Sequence, residues 1–282
     1  MKIGLVLEGG GMRGMFTAGV LDVLMDENIR VDGIVSVSAG ALFGANYPSC
    51  QRGRAIRYNL KYLNDKRYLG LHSLLTTGNI INKEFAFYQV PMTLDPFDNA
   101  AFKASATDFY VTLTNVESGR AEYVRITDVF AQMELLRATS AMPFVSKMIE
   151  IDGKKYLDGG IADSIPLQKC LDLGYEKILV VLTRPLDYRK TAANPYLIKA
   201  CYRRYPNLVE TLIRRHQDYN RQVEEIIRLQ QQNRIFVIRP SQALSIGRIE
   251  RNPDKIQAMY DLGITDATRE LENLKRYVNQ PV

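Results

Sequence analysis

Five short apolar runs, at residues 3–7, 33–35, 109–114, 177–182 and 234–238, are separated by longer stretches in which apolar side chains return at helical spacing. A run this short, rich in valine, isoleucine and leucine and lacking polar alternation, reads as a strand buried on both faces. Burial on both faces requires helices above and below a parallel sheet. Residues 177–182, Lys-Ile-Leu-Val-Val-Leu, are the clearest case. After the first run, Phe16, Val20, Leu21, Val23 and Leu24 recur near a 3.6-residue period and supply helical cover. The expected fold class is therefore α/β: a mostly parallel central sheet flanked by helices in three layers, with long C-terminal helices. With 282 residues, 46% of them hydrophobic, and no low-complexity linker, a single domain over 1–282 is expected. Within it, 1–180 carries the chemical motifs and 181–282 is a basic, helical part that completes the fold.

The first apolar run leads into Glu8-Gly9-Gly10-Gly11-Met12-Arg13-Gly14. A loop so bare of side chains aims several N–H groups at one point, and the helix behind it adds positive dipole, so the loop is suited to hold an anion. That anion is either a bound phosphate or the oxyanion of an ester under attack. Gly9, Gly11 and Gly14 satisfy G-x-G-x-x-G, which keeps a nucleotide-binding protein open as an alternative. Dinucleotide binding also asks for an acid at the far end of the second strand, and Asp32 instead precedes that run. At the far end stands Ser36-Val37-Ser38-Ala39-Gly40, which reads as a nucleophile elbow. Ser38 is its candidate nucleophile, and Ser36, Ala39 and Gly40 are the small neighbours that a sharp turn requires. Ser36 occupies the position of the first glycine in the usual G-x-S-x-G. The oxyanion reading is preferred on these grounds.

Residues 149–155 read as the start of a hairpin with an Asp152-Gly153 turn, and Asp158 ends its second strand just before Gly159-Gly160. Taken in order, the glycine loop, the Ser36–Gly40 elbow and Asp158-Gly159-Gly160 resemble the patatin-like phospholipase family. The resemblance continues through residues 137–144 and 163–166 and covers about the first 180 residues. It implies a lipid acyl hydrolase that cleaves carboxylic esters of phospholipid or lysophospholipid through a Ser38–Asp158 dyad and an acyl-enzyme. It also implies an oxyanion hole in residues 9–14 (Gly9, Gly10, Gly11, Met12, Arg13, Gly14). The N–H groups of 10–12 are its main donors and that of Ala39 is a contributor. No cofactor and no metal are expected, since no C-x-x-C or H-E-x-x-H arrangement occurs. Only His72 and His216 are present, and neither has the setting of a base poised by a third group. A carboxylate with an ordinary pKa near 3.9 is a weak base for serine, so Asp158 must be aligned and partly desolvated. Arg13 has three open roles: orienting a head-group phosphate, pairing with Glu8, or simple exposure. A catalytically silent lipid-binding relative is the second alternative.

The formal net charge is +6, unevenly distributed. Between 184 and 216, Arg184, Arg189, Lys190, Lys199, Arg203, Arg204, Arg214 and Arg215 face only Asp187 and Glu210, interleaved with tyrosines. Basic residues among interfacial aromatics suit an anionic membrane surface, reached through Arg203, Arg204, Arg214 and Arg215; a solvated helical face is an equal account. No nucleic-acid partner is expected, because no reader motif is present. No leader or spanning segment is read, so the expectation is a cytoplasmic protein, peripheral on the inner membrane surface. Long helices are expected over 206–232 and 253–278. The irregular stretch 61–97 is an acyl pocket, a lid or ordinary packing.

Overall fold

The structure, a computed structural model, describes residues 2–280. Eight strands form one sheet: β1 (Ile3–Leu7), β2 (Gly33–Val37), β3 (Asp108–Asn115), β4 (Ala121–Ile126), β5 (Ile149–Ile151), β6 (Lys154–Asp158), β7 (Lys177–Val181) and β8 (Phe236–Ile238). Their order is β5-β6-β3-β2-β1-β7-β8, with β4 also paired to β3. The run from β3 through β2, β1 and β7 to β8 is parallel, while β4, β5 and β6 are antiparallel additions at one end. The helices, in chain order, are α1 (Met15–Asp26), α2 (Ala39–Gly44), α3 (Arg54–Tyr62), α4 (Leu71–Thr77), α5 (Asn99–Ala104), α6 (Met133–Thr139), α7 (Leu167–Asp172), α8 (Pro195–Tyr202), α9 (Pro206–Gln231) and α10 (Pro253–Asn279).

The strand runs of the parallel part are buried on both faces, as their composition requires. Leu5, Leu7, Ile34, Leu179 and Val181 point toward a core shared with α1 and α10. Val6, Val35, Ile178 and Val180 point the other way, onto α7 and α9. Each such side chain contributes about 1.5–3 kcal/mol through burial. The expected α/β class, with a mostly parallel sheet between helices and long C-terminal helices, is the architecture found. Both α8 and α10 begin with Asn-Pro. Asn194 and Asn252 accept the first free backbone N–H groups, and Pro195 and Pro253 occupy positions whose N–H needs no partner. No helix among the described residues is long and apolar enough to cross a membrane.

One detail of sheet pairing brings the elbow and Asp158 together. Along one edge, β3 pairs with β2 as far as Val37↔Thr112. At the next residue the partner changes, and Leu113 pairs with Asp158 of β6. Because β4 occupies the opposite edge of β3 from Phe109 to Thr114, β6 takes up the edge that β2 leaves. The end of β6 therefore abuts the point where β2 turns away into α2. The segment expected to be irregular forms α4 and a wide π-type helix, Lys83–Leu94, interrupted by Pro91. β4 has no counterpart among the apolar runs, because all of its residues before Ile126 are half-buried or exposed and it carries Glu122 and Arg125.

Candidate active site

Ser38 stands between β2 and α2 with φ 54° and ψ −126°. This backbone conformation costs a non-glycine residue about 1–3 kcal/mol and persists only where the surroundings impose it. Thr139, at the end of α6, imposes part of it. Its hydroxyl accepts the Ser38 N–H at 3.0 Å and donates to the Thr112 carbonyl at 2.6 Å. Two residues on, the Ala141 carbonyl accepts the Asp158 N–H at 2.8 Å. Residues 139–141 thus buttress both halves of the predicted pair. The Ser38 hydroxyl donates to Asp158 Oδ2 at 2.7 Å, and Asp158 Oδ1 accepts the Gly160 N–H at 2.8 Å. His216 directs Nδ1 at the Ile213 carbonyl of its own helix, and no hydrogen bond joins it to Ser38 or Asp158. Ser36 lies in β2 and donates its hydroxyl to the Tyr110 carbonyl at 2.8 Å, so a serine is fully satisfied at the elbow's first small position. Ala39 and Gly40 open α2, and the backbone of 7 and 8 passes close against Gly40.

The glycine loop lies against this elbow. A side chain starting at Gly9 would meet Ser38 Cβ at 3.0 Å. Gly11 has φ +59°, and a Cβ there would sit 2.4 Å from the Arg248 carbonyl oxygen, so only glycine fits. Met12 and Arg13 are corrected here as N–H donors to an incoming anion. The Met12 N–H goes to the Arg248 carbonyl at 3.0 Å and the Arg13 N–H to the Gly10 carbonyl at 3.3 Å. The N–H groups of Gly10 and Gly11 donate to no backbone carbonyl among the described residues. Gly14 serves packing, where α1 begins against Phe43 and Ala39. Asp32, the acid weighed for a ribose, is at the opposite strand end, where it accepts the Ile3 N–H at 2.7 Å.

Arg13 is buried, with 7% of its surface exposed, and its Nε has no hydrogen-bond partner. It has no ion pair with Glu8 either. The Glu8 carboxylate is held by the Tyr219 hydroxyl at 2.9 Å and the Thr183 N–H at 2.6 Å. The expectation that Arg215 belongs to a membrane-facing basic surface is corrected. Arg215 turns inward beside Asp158, and its Nε is buried without a partner. The reason lies in the helix. Leu208, Leu212, Tyr219, Val223 and Ile226 form the buried stripe of α9, and position 215 lies three residues after 212 and four before 219, on that stripe. Arg214, about 100° away around the helix, is exposed and pairs with Glu210 at 3.2 Å. Arg203 and Arg204 are exposed as well. Lys190 and Arg248, not anticipated near the site, line the same cavity as Ser38 and Asp158.

Ser38 stands at the junction of two cavities. One is walled by Leu42, Phe87, Val90, Met133 and Leu136 among others, and takes most of one side from residues 69–97. The other is polar, and Asp158, Arg13 and Arg215 line it. Gly11, Met142 and Arg248 border both.

Burial pushes the Asp158 carboxyl above its ordinary 3.8, while the Ser38 hydroxyl and the Arg215 charge oppose the shift. A carboxyl whose folded pKa lies above its unfolded one stabilises the fold most when protonated. That contribution is fully present below the unfolded pKa and is lost as pH rises through the folded one. Asp158→Asn removes the ionised form, so its melting temperature at pH 7 should exceed that of wild type by a few degrees. The gap should close as the pH falls toward 4. Thermal scans across pH 4–8 check this; a variant less stable than wild type at pH 7 contradicts it.

The sequence profile of the patatin-like phospholipase family matches residues 5–171, and that of a domain of unknown function (DUF6363) matches residues 205–279. An uncharacterized protein of Escherichia coli (strain K12), YjjU, is 30% identical over 190 residues, covering 65% of this chain and 52% of its own length. Lysophospholipase NTE1 of Coccidioides immitis is 26% identical over 195 residues, covering 66% of this chain and 12% of NTE1. The chain thus spans about half of the first relative and about an eighth of the second. A solved structure, VipD from Legionella pneumophila, aligns with 96% of this chain and 67% of its own at 11% identity and a TM-score of 0.45. One continuous profile match takes in more than half of the chain and contains the glycine loop, the elbow and Asp158 together, so the chain belongs to the patatin-like phospholipase family.

Proposed function

We propose that this chain is a serine acyl hydrolase that cleaves a carboxylic ester of a phospholipid or lysophospholipid through a Ser38–Asp158 dyad. The observation that carries the reading is the 2.7 Å hydrogen bond from the Ser38 hydroxyl to Asp158 Oδ2, beside a glycine loop with unengaged backbone N–H groups. As Ser38 Oγ bonds to the ester carbon, its proton passes to Asp158 Oδ2, and the carbonyl π electrons move onto oxygen. Gly10 and Gly11 N–H groups, with that of Ala39, receive this oxyanion. Collapse expels the alcohol, which takes the proton from Asp158 and leaves an acyl ester on Ser38. Water then attacks that ester, giving its proton to Asp158, and collapse returns the proton to Ser38 with release of the fatty acid. The raised pKa of Asp158 narrows the mismatch between carboxylate and hydroxyl, which supports a two-residue site without histidine. The apolar cavity that begins at Ser38 and runs under residues 69–97 suits an acyl chain.

Intact-mass analysis after fluorophosphonate treatment tests the reading. Wild type is expected to gain one adduct, absent in Ser38→Ala and slowed by at least about a hundredfold in Asp158→Asn, since a serine hydroxyl is inert unless activated. A folded wild-type protein that gains no adduct is a binding protein, and the hydrolase reading fails.

A further inference from the structure

The polar cavity beside Ser38 is a chamber of unpaired cations. Arg13, Arg184, Lys190, Arg215 and Arg248 line it, against only Glu8 and Asp158. Among the described residues, none of the five has an acidic oxygen within 4.0 Å. The two acids are engaged elsewhere: Glu8 by Tyr219 and Thr183, Asp158 by Ser38 and Gly160. Two of the four guanidinium groups, on Arg13 and Arg215, keep a buried Nε that no protein atom accepts. An unmet donor on a buried charged group is costly, and the two arginines that retain one both line this cavity.

The chamber is also held in place. Lys190 is clamped by Asn220 of α9, which accepts its N–H at 2.8 Å and donates to its carbonyl at 3.1 Å. The Lys190 ammonium lies 4.2 Å from the centre of the Tyr219 ring, and the Arg184 guanidinium 4.1 Å from that of Tyr188. Both aromatic faces that could have received a quaternary ammonium are therefore already occupied by cations. Burial and the neighbouring Arg215 push the Lys190 amine down to about 7, and burial and Arg184 push Arg13 down to about 10. An anion seated among them favours the charged form of both and so opposes these shifts.

We propose that this chamber is the head-group subsite of the hydrolase and takes a phosphate monoester dianion, so that the substrate class is an acyl ester with a terminal phosphate near its scissile bond. This rests on the hydrolase reading above. The geometry that assigns it is the position of Ser38 at the junction, with an apolar cavity for the chain on one side and the cations on the other. A choline or ethanolamine head group would bring a positive charge into an excess of positive charge with no acid free to meet it. A phosphate monoester brings up to three terminal oxygens and two negative charges to the unpaired cations that line the chamber.

Two measurements on the full chain test the proposal. Inorganic phosphate, titrated calorimetrically, is expected to bind wild type and to inhibit ester hydrolysis competitively. In the second, kcat/KM is compared for a monoacylglycerol phosphate and a monoacylglycerophosphocholine of the same chain. The phosphate ester is expected to be favoured at least about tenfold, and Lys190→Met to cut that ratio about tenfold, mainly through KM. Arg184→Met serves in its place if Lys190→Met does not fold. Absence of phosphate binding overturns the subsite. Phosphate binding with equal turnover of the two esters makes the chamber a site for free phosphate and overturns the head-group assignment. Phosphate binding with no ester hydrolysed overturns the hydrolase reading beneath it, so the two failures are told apart.

Discussion

Ser38→Ala and Asp158→Asn are each expected to lower ester turnover by about 10⁴-fold, the scale seen when one member of a serine–base unit is removed. The two losses should not add. Ser38 supplies the nucleophile and Asp158 takes its proton in the same step, so the double variant should fall no further than either single one. Both variants should fold, because each replacement keeps the buried volume nearly unchanged and the elbow is braced from outside by Thr139 and Ala141. In wild type, kcat/KM should fall as pH drops through the pKa of Asp158. That limb should lie above the ordinary carboxylate value of 3.8, because the carboxyl is desolvated. Steady-state kinetics on a soluble ester, with circular dichroism on each variant, decides the matter. Folded variants that keep wild-type turnover would remove the dyad.

The second large effect is expected at Gly11. Gly11→Val places a branched side chain at φ +59° with its Cβ 2.4 Å from the Arg248 carbonyl oxygen and 2.9 Å from Arg248 Cα. Both contacts are backbone, so neither can swing aside, and the loop must move. Its N–H groups then leave the point where an oxyanion forms, and loss of one such donor costs about 10²–10³ in kcat. Gly53 provides the control. It has φ +69° with nothing within 4 Å of a new Cβ, so Gly53→Ala incurs only the left-handed backbone penalty of about 1 kcal/mol. Expected values are therefore a drop of two to three orders in kcat for Gly11→Val and near wild-type kcat for Gly53→Ala. Equal activity in the two variants would show that the glycine loop plays no part in turnover.

The basic run before His216 shows where reading along the chain falls short. Residues 214 and 215 are both arginine and adjacent, and charge patterning alone puts them on one surface. A helix separates neighbours by about 100°, so the question is which of the two joins the apolar stripe. The spacing Leu212, Arg215, Tyr219 was legible and assigns Arg215 to the buried side. Lys190 and Arg248 carried no such signal. They reach the site from irregular segments, and no local periodicity reports where a loop will lie. Met12 and Arg13 illustrate a third case. Their N–H groups were counted with those of the glycines, but the carbonyls of Arg248 and Gly10 accept them.

By itself the sequence determined the strand runs, the extents of the long helices, the glycine loop, the elbow and the acid that ends a strand, because each depends on residues near one another in the chain. The α/β class follows from the same local patterns. Only the tertiary structure decided that the elbow and the acid, 120 residues apart, come within 2.7 Å. That distance is set by β3, whose edge passes from β2 at Thr112 to β6 at Leu113. Strand pairing between distant segments is fixed by the packing of the whole sheet against its helices, and no short stretch of sequence encodes it. The same holds for the cation chamber, where residues from five separate stretches converge because a single long helix, α9, lies across the sheet and turns Arg215 toward Asp158.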